Sequence, residues 1–266
     1  MTEGQRNRPY KYLAQYYDRV FTPSVTAIQE AARQAVMGSI LPRVQSACDL
    51  ACGSGTTAVR LAKRGIRTMA VDNSSGMCRL VREKARRAGV VLRVLQADMR
   101  QFRLPERVDL VLCEGDAINH LDRKAELARV ARCVARALRP GGWFYFDANN
   151  RAGFRSYWKD TWWSEKPGVV AVMRNGNDAD QDRAWCDVEW FIRTGRGHWQ
   201  RRHERVEEVC WSAREIRTIL TNAGFASVRA WDASPYFKNP LITAGCRTLY
   251  LARRSPARRS TRRSPA

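Results

Sequence analysis

Acidic residues close four successive apolar runs, and the first of those runs opens into a glycine-rich turn. Asp49-Leu50-Ala51-Cys52-Gly53-Ser54-Gly55 stands where a short apolar run meets a helical pattern, Thr56 to Arg64, that Gly65 stops. A second run, Ile66 to Val71, ends at Asp72, a third, Val90 to Leu95, leads to Asp98, and a fourth, Val108 to Cys113, leads to Glu114. Helical stripes separate the runs: Met77, Leu80, Val81, Ala85 and Ala88 on one, Leu127, Ala131, Val134 and Leu138 on another. A fifth strand, Trp143 to Phe146, follows the breaker Pro140-Gly141-Gly142 and ends at Asp147. Strands alternating with helices require an α/β architecture, a doubly wound and mostly parallel sheet.

The flanks differ from this core. Two helices are expected before the first strand: an aromatic-rich one over Tyr10 to Phe21, and one capped at Thr22-Pro23-Ser24 and running to Gly38. After Asp147 come six tryptophans between residues 150 and 211. Alternating runs there (Val169 to Met173, Trp185 to Arg193, His203 to Cys210) read as antiparallel strands, with a polar turn at Asn175-Gly176-Asn177-Asp178. The stripe Ile216, Ile219, Leu220, Ala223 and two last strands, near Ala226 to Trp231 and Arg247 to Ala252, bring the sheet to seven strands. The expected organisation is an N-terminal helical lid, residues 1–43; a ligand-binding core, 44–149; an inserted antiparallel β lobe, 150–211; the last helix and strands of the core, 212–252; and a disordered basic tail, 253–266, with its Arg-Arg-Ser and Ser-Pro repeats.

No apolar run approaches the length of a membrane span, and the opening residues lack the apolar core of a secretory signal. Eight scattered cysteines, without a Cys-x-x-Cys pair or a histidine cluster, fit buried thiols in a reducing cytoplasm, and no metal site is expected. The net charge is +21, of which six arginines of the last 14 residues supply 6. Such a field attracts polyanions, yet most arginines in the body lie opposite an apolar stripe, as solvated helix faces do.

Open α/β sheets bind ligands along the carboxyl edge, where the four acids collect. The loop alone also satisfies the looser dinucleotide fingerprint, Gly53-x-Gly55-x-x-Ala58 with Asp72 at a suitable distance, so a nicotinamide cofactor is a competitor. A rim of carboxylates suits a pyrophosphate poorly. It suits a cationic sulfonium ligand with an ammonium group, a ribose diol and an adenine amine.

Four motifs carry a resemblance: Asp49-Leu50-Ala51-Cys52-Gly53-Ser54-Gly55, Ala70-Val71-Asp72-Asn73-Ser74, Gln96-Ala97-Asp98-Met99 and Leu138-Arg139-Pro140-Gly141-Gly142-Trp143-Phe144. In this order and spacing they resemble the class I S-adenosylmethionine-dependent methyltransferases over about residues 44 to 148, and Ala223-Gly224-Phe225 extends the likeness weakly. Ala51 departs from the pattern, standing where many members have a first glycine.

The resemblance implies S-adenosylmethionine as cofactor, with the sheet Rossmann-like. Gly53 and Gly55 would shape the loop with Ala51, Asp49 would orient the ammonium, and Asp72 beside Asn73 would take the ribose diol. Asp98 would accept from the adenine amine, Met99 would pack the ring, and Glu114 would line the entrance near the sulfonium. Tyr16 and Tyr17 match a Tyr-Asp pattern on a helix folding over the cofactor, Tyr17 reaching toward the reaction. On the acceptor side, Cys113-Glu114-Gly115-Asp116-Ala117-Ile118-Asn119-His120 should face the methyl group, making Asp116, Asn119 and His120 candidates to touch the acceptor, with His120 as a base. The branch resembled includes amino-sugar and amino-acid N-methyltransferases, which implies a small-molecule acceptor methylated at nitrogen or oxygen. The charge keeps two alternatives open: a tRNA or rRNA methyltransferase, and a non-catalytic RNA-binding protein with a retained cofactor fold.

Overall fold

The protein is described from a computed structural model covering residues 13–20, 22–178, 180–195, 197–236 and 244–257; the side chains of residues 13, 15, 17 and 22–27 lie outside that description. Two helices, α1 (Leu13–Val20) and α2 (Thr22–Met37), precede β1 (Ser46–Leu50). Then α3 (Thr56–Lys63), β2 (Arg67–Asp72), α4 (Ser75–Arg87), β3 (Arg93–Gln96), β4 (Val108–Cys113), α5 (Lys124–Ala137) and β5 (Leu138–Asn149) follow in alternation. Next come α6 (Arg151–Tyr157) and four strands, β6 (Thr161–Lys166), β7 (Val169–Asp178), β8 (Arg183–Arg193) and β9 (Trp199–Val209), before α7 (Ala213–Asn222), β10 (Phe225–Asp232) and β11 (Arg247–Arg254).

The main sheet has seven strands in the order β10-β11-β5-β4-β1-β2-β3. Its strands from β5 through β3 run parallel, and β11 pairs antiparallel with both β5 and β10. The chain winds one way from β1 and the other way from β4, so the crevice between those two strand ends is the place where helices leave to opposite faces. β1 is buried at every position and β4 at all but one, as strands covered on both faces are. One core contains Leu50, Val71, Val111 and Phe146 against α5 and α7, and the other contains Leu110, Leu112 and Tyr145 against α2 and α3. Each such fully buried leucine contributes roughly 2 kcal/mol.

The second sheet, β6-β7-β8-β9, is wholly antiparallel. Its inner face, Val169, Ala171, Met173, Val188 and Trp190, packs against Tyr16 of α1, the two aromatic rings stacking at 6.0 Å. The hairpin departs from the sequence expectation, because Asn175 to Asp178 are not a turn: they pair with Cys186 to Arg183, and the chain reverses beyond them. Gly176 makes this possible. The Trp185 ring covers it so closely that a Cβ there would lie 2.5 Å from the ring. β11 also runs two residues past the expected end, with Arg253 paired to Trp143 and its guanidinium over the indole. Of the expected basic tail, residues 258–266 lie outside the described residues.

Candidate active site

The turn after β1 reverses in three left-handed steps, Ala51 at φ 54°, Gly53 at 53° and Gly55 at 75°. Gly55 caps α3, and a Cβ on it would meet both methyl groups of Val81 at under 3 Å, so α4 can press on the loop only over a glycine. Asp72, at the end of β2, holds the loop from below. One carboxylate oxygen accepts from the Gly53 amide at 2.9 Å and the other from the Ser74 amide at 2.8 Å. Each oxygen retains a lone pair, the arrangement that receives a vicinal diol. Burial pushes the Asp72 carboxyl above its usual range, against the pull of those amides. Asn73, beside it, is exposed, and its carbonyl accepts from the Gln96 amide.

Asp49 is buried, and its carboxylate accepts from the Ala58 amide at 2.9 Å, so it fixes the first turn of α3. Burial and the neighbouring Glu114 push its carboxyl up to about 8. Glu114 differs from expectation. Its side chain is enclosed at the end of β4, 6% exposed, and is held by the Arg33 guanidinium at 2.5 and 2.6 Å and by the Thr57 hydroxyl at 3.1 Å. Two acids at adjacent strand ends need a cation between them, and α2 supplies Arg33. That arginine, 81 residues away in sequence, carries no local signal of its role. Its Nε is the one fully buried side-chain polar atom without a partner among the described residues. A carboxylate such as the one on the methionine end of S-adenosylmethionine would satisfy it.

Asp98 follows β3 and is gripped by Arg100, whose backbone amide reaches one oxygen at 2.8 Å while Nε and a terminal nitrogen fork the carboxylate at 3.0 and 2.5 Å. Although burial opposes it, this grip lowers the Asp98 carboxyl below its ordinary value. Arg100 also binds Glu126 of α5, so an adenine amine could be accepted at Asp98 only where the guanidinium gives way. Met99 packs on the first core beside Ala51 and Leu95. Tyr16 stacks on Trp190 and belongs to the joint between α1 and the second sheet, not to the cofactor side. The side chain of Tyr17 lies outside the described residues, while the neighbouring Asp18 accepts from Ser54 of the glycine turn at 2.6 Å and pairs with Lys84 at 2.8 Å.

On the other side of the crevice, the chain turns after β4 through Gly115 and Asp116, both left-handed, into a short helical turn, Ala117–His120. Asn119 points inward and is fully buried. Its amide donates to the carbonyls of Asn149 and Val209 at 3.0 and 2.9 Å, and its oxygen accepts from the Asn149 amide at 3.0 Å. This expends its bonding on tying β5 to β9 and corrects its expected place facing an acceptor. Asp116 and His120 remain on the crevice side, both half-buried. The Asp116 carboxylate accepts from Arg247 at 2.9 Å and Asn149 at 3.1 Å. The imidazole of His120 donates from Nδ1 to the Glu207 carbonyl at 3.1 Å, the tautomer that leaves the lone pair on Nε2.

The family model for a methyltransferase domain matches residues 47–142, the stretch from the glycine turn to the start of the fifth strand. YqeM of Bacillus subtilis, a protein carrying a methyltransferase name, is 26% identical over 187 residues, 70% of this chain and 75% of its own length. Among solved structures, an S-adenosylmethionine-dependent methyltransferase from Clostridium acetobutylicum superposes with a TM-score of 0.75 at 22% identity, covering 92% of this chain and 99% of that one. The sugar N-methyltransferase KedS8 from a Streptoalloteichus species superposes at 0.70 with 20% identity, covering 96% of each chain. The structural likenesses establish the fold, and the matched domain spans the turn, Asp72 and Asp98. The chain carries a methyltransferase domain over residues 47–142, on the fold of the S-adenosylmethionine-dependent methyltransferases.

Proposed function

We propose that this chain methylates a nitrogen or oxygen of a small molecule held at the carboxyl edge of the main sheet, beside the second sheet. The observation that carries the reading is the closure of the acceptor side. Tyr16 docks α1 on Trp190, Asn119 clips β9 to β5, and Trp211 donates to the Ile118 carbonyl at 3.1 Å. The crevice is thus walled by packed elements, a setting for a compact acceptor screened from water. The likeness to a sugar N-methyltransferase points the same way.

When bound, S-adenosylmethionine would supply an electrophilic methyl carbon, to which the acceptor lone pair bonds as the carbon–sulfur bond breaks and its electron pair leaves on sulfur. The chain's part is to hold and to orient. In this reading Gly53 and Gly55 bring the backbone under the methionine end, Arg33 Nε meets its carboxylate, and Asp49 faces its ammonium. Asp72 takes the ribose diol and Met99 packs toward the adenine. Asp116 and His120 touch the acceptor. Eight free thiols, seven of them buried, support a cytoplasmic place for the enzyme.

Methyl-labelled cofactor, incubated with a host extract divided into metabolite and RNA fractions, tests the reading beside Asp72→Asn. Label in the metabolite fraction, lost in the variant, is the expected result. Affinity for S-adenosylhomocysteine should fall about tenfold or more, since hydrogen bonds to a charged partner are worth about 1.5–3 kcal/mol each. Label in nuclease-sensitive RNA would overturn the small-molecule acceptor, and an unchanged affinity would remove Asp72 from the ribose.

A further inference from the structure

The carboxylate expected to meet the adenine amine is already occupied by a neighbour. One oxygen of Asp98 accepts from the Arg100 backbone amide at 2.8 Å and from Nε at 3.0 Å. The other accepts from Nε at 3.0 Å and from a terminal guanidinium nitrogen at 2.5 Å. Two carboxylate oxygens offer about four acceptor positions, so little is left for a further donor. The same guanidinium also reaches a second carboxylate, its other terminal nitrogen donating to Glu126 of α5 at 2.5 Å. Glu126 is fixed in turn, because its remaining oxygen accepts from the Asp122 amide at 2.9 Å.

We infer that Arg100 is a latch on the adenine subsite, held on Asp98 in the empty chain and transferred to Glu126 when a 6-amino purine takes its place. This rests on the reading of Asp98 as acceptor for the adenine amine, and it adds the two residues that govern that contact.

The surroundings leave the side chain as the moving part. The backbone at Arg100 is pinned: its carbonyl accepts from the Cys133 thiol at 3.3 Å, and the Gln101 amide donates to the Asp98 carbonyl at 3.0 Å. The Arg100 side chain is 40% exposed, against 16% for Asp98 and 18% for Glu126. The cation is therefore the member of the trio that lies open to solvent, and an ion pair so exposed is weakly held. Glu126 makes the exchange feasible. In leaving Asp98 the guanidinium keeps its charge-assisted bond to that second carboxylate, so it is never left bare.

A neutral amine is a poorer partner for a carboxylate than a guanidinium is. The latch therefore competes with the adenine and lowers the affinity of the site for cofactor and demethylated product alike, since both carry the same base. With Glu126 absent, Asp98 would be the one carboxylate left to Arg100 in this trio, and the competition would sharpen. Neither residue touches the reacting atoms. Both are positioning residues acting through Asp98.

The test is calorimetric binding of S-adenosylhomocysteine to the full chain, beside S-inosylhomocysteine, whose purine carries a 6-oxo group in place of the amine. Arg100→Gln should tighten S-adenosylhomocysteine about threefold or more and leave the 6-oxo analogue within about twofold. Arg100→Lys, which keeps the charge without the planar fork, should fall between the wild type and Arg100→Gln. Glu126→Gln should weaken S-adenosylhomocysteine about threefold, and that loss should vanish in the Arg100→Gln background. Asp98→Asn should weaken S-adenosylhomocysteine about tenfold.

Weaker or unchanged S-adenosylhomocysteine binding in Arg100→Gln, with Asp98→Asn still harmful, would overturn the latch and leave Asp98 at the adenine. Tightening of both ligands to the same degree would also overturn it, because the effect would not run through the amine. A Glu126→Gln loss that persists without Arg100 would take Glu126 out of the exchange and leave the guanidinium no second seat. Unchanged affinity in Asp98→Asn would remove Asp98 from the adenine, and the latch with it.

Discussion

Asp49 and Glu114 stand at neighbouring strand ends with enclosed side chains, and the Arg33 guanidinium bonds to Glu114. The folded chain therefore keeps a proton on Asp49 up to about pH 8, where an unfolded aspartate releases it near 3.8. The stability this proton carries is complete below about pH 4 and is lost as pH rises through about 8. One proton contributes a slope of about 1.4 kcal/mol per pH unit across that window. Asp49→Asn keeps an oxygen for the Ala58 amide and removes the titration. Urea unfolding of the cofactor-free protein at intervals from pH 5 to 8 should show a slope lower by about one proton in the variant; equal slopes would refute the assignment. Asp49 and Asp72 were legible in the sequence because strand, acid and glycine turn are contiguous there. Arg33, Arg247 and Glu208 were not. Each meets its partner across 59 to 131 residues of chain, and nothing in the local pattern of an arginine on a helix or a glutamate on a strand declares a distant acid or amide.

At the scale of elements, periodicity exposed the strands of the main sheet, most plainly β1 and β4, whose burial on two faces leaves unbroken apolar runs. What it missed was how the added elements close the crevice. The inner face of β9 carries Arg202, Glu204, Val206 and Glu208, which in sequence reads as a solvated strand edge. Only the docking of the second sheet turns the two glutamates inward, Glu204 against the Trp190 indole at 3.1 Å. Helix α1 is fastened in a comparable way. Asp18 receives Ser54, while the Lys84 ammonium reaches Ser54 at 2.8 Å, Thr56 at 2.7 Å and Asp18 at 2.8 Å, tying α1 to the glycine turn and to α4. Half-exposed pairs of this sort add little to global stability, roughly 0–1 kcal/mol, so their effect should be local. Lys84→Met should leave the unfolding midpoint nearly unchanged, speed amide exchange in residues 13–20, and weaken S-adenosylhomocysteine binding about threefold or more, since the turn under the cofactor loses its strap. Unchanged exchange in α1 would show that the Tyr16–Trp190 stack alone holds it.

For the whole molecule, the charge of +21 and the buried carboxyl groups around Arg247 act over different distances, and salt separates them. Part of the surface arginine is engaged in ion pairs: Arg60 and Arg64 with Glu30, Arg139 with Asp109, Arg151 with Asp182, Arg205 with Asp187. The excess that remains is diffuse, and its field is screened beyond about 8 Å at physiological ionic strength. The carboxyl cluster around Arg247 is buried and responds weakly to added salt. A cationic acceptor approaching this protein would be repelled at long range by that excess. Raising the salt from 50 to 200 mM should therefore increase kcat/KM for a cationic acceptor modestly, through faster encounter, with kcat little altered. A polyanionic acceptor obeys the opposite sign: each phosphate neutralised contributes a slope of about −0.7 for single strands in log affinity against log salt. The two readings of the charge thus predict rate changes in opposite directions in one salt titration. A steep fall in kcat/KM would make the arginines part of substrate recognition, whereas a flat or rising profile would leave them as the solvated outer faces of the helices and strands.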